Sequence, residues 1–183
     1  MNQVKVNHKE FRQTYLGAAP HSLTVGSLWI ISGIVTNYTS TIFAILFFFF
    51  ATAVNFPIGE MVRKLMKIEY RMNKDNNLDN LFTWLSLTIP LSIPLVFMAC
   101  QNNMNWFFPA FTVLVGAHYL PFVWAYQMPT FGILGILMVV SGSIIGYYFS
   151  DIFDLAAYTT GGLIILFGII HLIMVKKEIK NNA

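Results

Sequence analysis

A charged segment over residues 60–79 separates two long stretches of chain that contain no Lys, Arg, Asp or Glu. The stretch before it, 13–59, has 47 residues, and the stretch after it, 80–150, has 71. Charged residues make up 10% of the chain, against about 25% in ordinary globular domains. A soluble fold cannot bury so much uncharged, apolar chain, so the sequence predicts an integral membrane protein with its main polar break at 60–79.

The length of the apolar stretches predicts the number of membrane spans. A bilayer-spanning helix needs roughly 20 mostly apolar residues. By that measure 13–59 accommodates two spans, 80–150 accommodates three, and 155–175 is one more. We therefore predict an all-α fold, a single membrane domain built as a bundle of six transmembrane helices with a polar loop over 60–78. The spans are placed near 19–38, 41–59, 79–100, 107–126, 130–149 and 154–175.

The basic residues support this count, because Lys and Arg accumulate on the cytoplasmic side of membrane proteins. With six spans, all eleven Lys and Arg lie on one side: before the first span, in 60–79 and after the last span. Asp151 and Asp154 lie on the opposite side, and five or seven spans would mix the two. We therefore predict cytoplasmic termini and a multi-pass protein of a cell membrane, by composition a bacterial inner membrane.

The basic segment could itself contact lipid. If a helix continues past Glu60, Met61 and Leu65 share an apolar stripe while the basic residues line another face, which is typical of a segment lying on anionic headgroups. The alternative is a solvated loop whose charges only set the orientation of the chain. Headgroup contacts are predicted for Arg63, Lys64, Lys67, Arg71 and Lys74. Similarly, residues 1–16 are predicted to form a helix at the membrane surface.

Small residues and prolines predict how the helices pack. The first span carries a stripe of small side chains at helical spacing, which lets helix backbones approach closely. The fifth span is rich in glycine and has a GxxxG step at Gly142 and Gly146, so we expect it to pack centrally. Pro90 and Pro94 predict a kink or local unwinding in the third span. The stripe of the first span consists of Ser22, Gly26, Gly33 and Asn37.

His118 is the main candidate for chemistry inside the membrane, where ionisable groups are costly. It lies about twelve residues from the outer end of its span, or about 18 Å deep at the rise of an α-helix. Its two ring nitrogens need partners, for which Tyr119, Ser141 and Ser143 are candidates. The functional interpretation is a substrate contact or proton relay, and the alternative is a packing histidine that bridges two helices.

Other polar residues gather at the cytoplasmic ends of the spans. The functional interpretation is a polar vestibule, in which Glu60 is an acid or a cation contact. The alternative is ordinary interfacial placement, with Glu60 paired to Lys64 four residues later. The members of this group are His21, Asn55, Glu60, Gln127 and His171.

The segment Gly116-Ala-His-Tyr-Leu-Pro121, followed by Trp124 and Tyr126, resembles one of the small uncharacterised families of bacterial multi-span membrane proteins. The resemblance covers mainly the fourth and fifth spans. It implies a multi-span fold and brings with it no substrate and no catalytic residue.

Sequence motifs of hydrolases, metalloproteases and nucleotide-binding loops are absent, and the chain has a single cysteine, Cys100. We therefore predict no catalytic activity, no cofactor and no metal site. The basic residues also lack the interleaved aromatics of a nucleic-acid interface. The leading hypothesis is a small transporter or channel-like protein, whose path includes the polar cytoplasmic half, the third span and His118. The alternatives are a non-catalytic membrane or lipid-interacting partner and, third, a membrane-embedded enzyme; the bilayer and further copies of the chain are the expected partners.

Overall fold

The computed structural model describes residues 3–66, 72–73 and 75–182, and every regular element in these ranges is helical. The all-α prediction is therefore confirmed for this part of the chain. A short 3₁₀ turn, Met104–Trp106, precedes the sixth helix. The helices are α1 (Gln3–Thr14), α2 (Ala19–Thr36), α3 (Thr41–Ala53), α4 (Asn55–Leu65), α5 (Leu78–Ala99), α6 (Phe107–His118), α7 (Leu120–Tyr126), α8 (Thr130–Tyr148) and α9 (Leu155–Asn182).

Length and hydropathy allow four to six membrane spans in the described chain. Two further pairs of helices meet the criteria of length and hydropathy only when taken together: α1 with α2, bent by 49°, and α3 with α4, bent by 47°. The predicted spans 19–38 and 41–59 fall on these two bent pairs. The four segments that are long and apolar enough by themselves are Asn80–Ala99, Met104–Tyr126, Thr130–Tyr148 and Leu155–Asn181.

The break between α1 and α2 consists of three consecutive left-handed residues. Leu16, Gly17 and Ala18 have φ angles of 49°, 60° and 60°. Glycine adopts this conformation freely, but each residue with a Cβ pays roughly 1–2 kcal/mol for it. Pro20 then lies in the first turn of α2, where its missing N–H removes no intrahelical hydrogen bond. This break is strained, and the surrounding packing must hold it in place.

The break between α3 and α4 has a visible cause in Pro57. A proline cannot donate to the carbonyl four residues earlier, and its ring crowds that carbonyl. For Pro57 that carbonyl belongs to Ala53, the last residue of α3, and α4 begins at Asn55. The predicted second span, 41–59, therefore contains a bend between Ala53 and Asn55.

The prolines of α5 do not interrupt the helix, in contrast to Pro57. The helix continues through Pro90 and Pro94, so the local unwinding predicted there is not seen. Most of its side chains are exposed, and α6 is its main neighbour in the bundle.

Glycines bring α2 and α9 into direct contact. A Cβ added to Gly161 would lie 2.6 Å from the backbone oxygen of Gly26, and one added to Gly33 would lie 2.9 Å from the ring of Tyr158. Ser22 lies one turn before Gly26 on the same face of α2, and it packs against Gly168 of α9. The predicted small-residue stripe of the first span is therefore confirmed as its contact surface with the last helix.

The glycine-rich helix α8 packs against α6 in the same way. A Cβ on Gly135 would lie 2.7 Å from the oxygen of Gly116, and one on Gly142 would lie 2.9 Å from the oxygen of Pro109. The hydroxyl groups of Thr112 and Thr160 share a buried hydrogen bond of 2.6 Å that joins α6 to α9. The fifth span therefore packs through its glycines, but its other face, which includes Ile133, Ile136 and Val140, is exposed, so the central position predicted for it is not confirmed.

Candidate functional site

Buried polar atoms that lack a hydrogen-bond partner gather at the two helix breaks. Two of them end α1, one lies in the first turn of α2, and one opens α4. The fifth belongs to α9, where His171 packs against Gly17 in the middle of the first break. An unpaired buried polar group costs about 1–3 kcal/mol, so the gathering of five such atoms at two breaks makes this region the candidate site. Within the described residues these atoms are Gln13 Oε1, Thr14 Oγ1, His21 Nε2, Asn55 Oδ1 and His171 Nδ1.

An ion-pair cluster joins α2 to α4 beside the second break. The Arg63 guanidinium donates to Glu60 through Nη2 at 2.7 Å and through Nε at 3.0 Å. On the other side of this carboxylate, His21 Nε2 lies 3.5 Å from Glu60 Oε1. That contact has the length of an ion pair but does not meet the geometry of a hydrogen bond, so His21 Nε2 has no hydrogen-bond partner. The pairing of Glu60 with Lys64 is wrong, since Arg63 takes that place.

Close packing holds this cluster together. A Cβ on Gly59 would lie 2.5 Å from His21 Cδ2, so only glycine lets α4 approach the imidazole this closely. The Arg63 guanidinium also lies over the ring of Tyr15, 5.7 Å from its centroid, in a cation–π contact. The cluster therefore connects α4 both to α2 and to the residue that follows α1.

Asn55 stands at the second break itself. It is the first residue of α4 and is half-buried, and its side-chain oxygen has no partner. Because an amide oxygen can only accept, it is suited to a ligand or water that donates a hydrogen bond.

His171 is fully enclosed beneath the first break. Its Nε2 shares a hydrogen bond of 2.8 Å with Thr130 Oγ1, and its Nδ1 has no partner. The Phe131 ring packs on the imidazole at 4.1 Å between centroids. His171 is 0% exposed, so any solute that reaches this ring requires a movement of the elements above it.

Tyr119 belongs to the same buried layer as His171. Its ring stacks on Phe131 at 6.0 Å between centroids, on a ring that also contacts His171. The Tyr119 hydroxyl lies beside the side chain of Ser22 of α2. The structure thus brings Tyr119 and His171 together across Phe131, between α2, α8 and α9.

His118 borders this layer on the side of α5. Its Nδ1 shares a hydrogen bond of 2.9 Å with Thr88 Oγ1 on α5, and its ring packs on Phe122 at 5.2 Å. The predicted partners Ser141 and Ser143 bond to backbone oxygens of their own helix. His118 therefore bridges α6 to α5, and of the other predicted site residues its ring contacts Tyr119, at 6.4 Å between centroids.

The role of helix α1 was missed at the sequence level. The Arg12 guanidinium donates to both carboxylate oxygens of Glu178, at 2.7 and 2.8 Å, and to the Tyr126 oxygen at 2.8 Å. His8 Nδ1 lies 2.9 Å from the Ala125 oxygen. Both backbone oxygens belong to the end of α7, where helix carbonyls lack intrahelical partners. Arg12 was counted only as a topological charge, yet it joins α1 to α7 and α9.

The predicted surface helix over 1–16 is present as α1, but it packs on the protein. Phe11 is 1% exposed and contacts the rings of Phe82 and Tyr126 at 4.7 and 4.9 Å between centroids. The sequence does hold a signal for this docking, because Phe11 is the one large apolar side chain in a mainly polar helix.

Part of the predicted lipid-contact segment lies outside the described residues, namely Lys67, Arg71 and Lys74. Of the others, Arg63 is turned toward Glu60, while Lys64 is exposed on α4. The exposed apolar residues Met61 and Leu65 lie near it on the same helix, so the described part of this segment is amphipathic.

No group of three or more His, Cys, Asp or Glu side chains in the described residues is placed to hold a metal ion.

Comparison with known proteins identifies one family: the model of the family of unknown function DUF7010 matches residues 4–175. The predicted resemblance to an uncharacterised family is confirmed to that extent. No curated protein and no solved structure matches the chain.

Proposed function

This chain belongs to the DUF7010 family of unknown function, and from the site described above we propose that it is a small membrane transporter of a polar solute. The observation that carries the proposal is the gathering of unpartnered buried polar atoms at two helix breaks. In many transporters, interrupted helices provide substrate sites, because polar groups at a break are free to bind a solute. No catalytic step is assigned to these residues.

The proposed mechanism uses the two breaks as both site and hinge. A solute that donates and accepts hydrogen bonds would pair with Asn55 and with the imidazoles of His21 and His171, which offsets the cost of their burial. Bent pairs whose halves meet at 47° and 49° can rock at the break without losing helical hydrogen bonds elsewhere. His118 lies outside this path in the geometry described, and its proposed task is to hold α5 to α6.

We propose six spans with both termini in the cytoplasm. The 18 residues of α2 rise about 27 Å, close to the thickness of the hydrocarbon core. The second span would consist of α3 and the start of α4, and α1 would lie at the cytoplasmic surface. The one-sided distribution of Lys and Arg supports this orientation.

Single cysteines test this topology. In a Cys100→Ala background, a membrane-impermeant maleimide is expected to label Lys64→Cys and Lys180→Cys only from the cytoplasmic side. It is expected to label Tyr38→Cys and Asp151→Cys only from the outer side, since Tyr38 is 83% exposed at the end of α2. Cytoplasmic labelling of Tyr38→Cys would mean that α2 does not cross the membrane and would exclude six spans.

The transport function predicts that the second break meets water from both sides of the membrane. In the same background, Asn55→Cys is expected to react with an impermeant methanethiosulfonate reagent in inside-out vesicles and also in right-side-out vesicles. The matched control is Phe50→Cys on α3, which is 71% exposed on an apolar helix and should be shielded by lipid from both sides. Reaction of Asn55→Cys from one side only would contradict alternating access.

One observation favours a second function, a non-catalytic lipid-interacting partner. Met61 and Leu65 are exposed on α4 close to the exposed Lys64, as in helices that lie among headgroups. On this alternative, Lys64→Glu would reduce the amount of anionic lipid that copurifies with the protein, while Asn55→Cys would react from the cytoplasmic side alone. Unchanged anionic lipid would remove this alternative.

A further inference from the structure

We propose that helix α1 is the cytoplasmic gate of the transport site, hinged at residues 16–18 and latched by Arg12; this inference rests on the transport function proposed above. The gate in the described structure is closed. Three observations carry the inference: α1 covers the layer that contains His171, a polar latch holds it there, and the hinge beneath it is strained.

Helix α1 and the break that follows it cover the side chain of His171 completely. Gly17, just after α1, packs on His171, and a Cβ at that position would lie 3.3 Å from the histidine Cβ. Around it, Phe11 contacts Phe82 and Tyr126, and Gly17 also approaches Met128. Water can therefore reach the imidazole from this side only if α1 and the break move away.

The latch is polar, and water can replace every contact in it. Arg12 joins α1 to Glu178 and to the Tyr126 oxygen, and His8 adds the contact to the Ala125 oxygen. The side chains of Arg12 and Glu178 keep 17% and 25% of their exposure, so solvent already touches the pair. Polar contacts of this exposure exchange with water at moderate cost, so the larger cost of opening is the withdrawal of Phe11 from Phe82 and Tyr126.

The hinge and the covered groups both favour opening. Leu16 and Ala18 hold left-handed conformations that are strained for residues with a Cβ, and this strain is relieved when the break rearranges. Three buried atoms at the interface, Gln13 Oε1, Thr14 Oγ1 and His171 Nδ1, lack partners in the closed state and gain water in the open one. Latch and strain therefore oppose each other, which is what an element with two accessible states requires.

The reactivity of His171 with diethyl pyrocarbonate tests the gate. The reagent modifies accessible imidazoles, and peptide mass spectrometry assigns each modified histidine. The experiment uses the full chain in lipid nanodiscs. Arg12→Ala is expected to raise the modification rate of His171 about tenfold, because the rate is proportional to the fraction of open molecules and we expect that fraction to rise about tenfold. Lys5→Ala is the matched control, because it removes the same charge from an exposed position of α1. Glu178→Gln should act in the same direction as Arg12→Ala.

His118 serves as an internal reference, because it lies at the end of α6 and its contacts are with Thr88 of α5, Tyr119 and Phe122 rather than with α1. A rise at His171 with no change at His118 supports the gate. A parallel rise at both histidines means general loosening and overturns it, as does a protected His171 in both Arg12→Ala and Glu178→Gln. These outcomes are independent of the transport test: two-sided reaction of Asn55→Cys with a protected His171 would leave transport standing and remove only the gate.

Discussion

Alanine at Gly161 is expected to lower the stability of the protein by about 2 kcal/mol, whereas alanine at the adjacent Gly162 should leave it unchanged or raise it slightly. A Cβ at Gly161 would lie 2.6 Å from the Gly26 oxygen and 2.7 Å from Ile30 Cγ1, closer than van der Waals contact permits. Because the first of these atoms is backbone, α2 and α9 must separate to admit the methyl group. At Gly162 the added Cβ meets nothing within 4 Å.

Comparing Gly161→Ala with Gly162→Ala separates the effect of packing on stability from the effect of helix propensity. Both substitutions add the same methyl group to the same helix, and each gains up to about 1 kcal/mol of propensity. Cys100 is the only cysteine and is 3% exposed, so a dye that fluoresces on reaction with a thiol reports unfolding of the protein in detergent. At about 2–4 °C per kcal/mol for a chain of this size, Gly161→Ala should melt several degrees below the parent. Equal melting temperatures for the two variants would show that the α2–α9 contact is not tight.

The helical class of the protein could be predicted because it depends on properties that act locally. Uncharged apolar stretches require their backbone hydrogen bonds to be made within a segment, so helices follow from the sequence alone. Gly26, Gly33 and Gly142 were correctly predicted at close helix contacts for a related reason. Small residues at helical spacing in an apolar segment contribute to packing mainly by allowing a neighbouring helix to approach closely.

The two breaks were harder to predict, because hydropathy continues across them. Leu16 and Ala18 are ordinary residues in a left-handed conformation, which only the packing of Gly17 against α9 requires. Pro57 was a usable local signal for the end of α3. Pro90 and Pro94 carry the same signal inside an unbroken helix, so proline alone does not identify a break.

The sequence allowed the polar residues to be grouped by depth, but it did not predict how they are arranged. His21, Asn55, Glu60 and His171 were grouped by their depth along the spans, and the structure places them at the two breaks. Which way a helix is rotated depends on its neighbours, so Thr88 could not be foreseen as the partner of His118. The latch between Arg12 and Glu178 joins residues 166 positions apart, and no local pattern connects them.

A pair of threonine-to-valine substitutions separates groups that serve stability from groups that serve function. Thr14 is 6% exposed and its hydroxyl has no partner, so Thr14→Val removes an unpaired polar atom at nearly constant shape. The variant is expected to be about 1 kcal/mol more stable than the parent. Thr112→Val removes a hydroxyl that bonds to Thr160 at 2.6 Å, and should destabilise by a similar or smaller amount. Thermal melting of the two variants, followed by the reaction of Cys100 with the thiol dye, shows whether each substitution raises or lowers the stability.

The gain in stability at Thr14 should come with a loss of opening. Water satisfies the Thr14 hydroxyl only when α1 lifts, so valine removes part of the free energy that favours the open state. His171 in Thr14→Val should therefore react more slowly with diethyl pyrocarbonate than His171 in the parent, while Thr112→Val should leave that rate unchanged. A residue kept at a cost to folding is expected where activity needs it. If Thr14→Val melts lower than the parent, its hydroxyl is satisfied in the folded protein and the break is an ordinary packed turn.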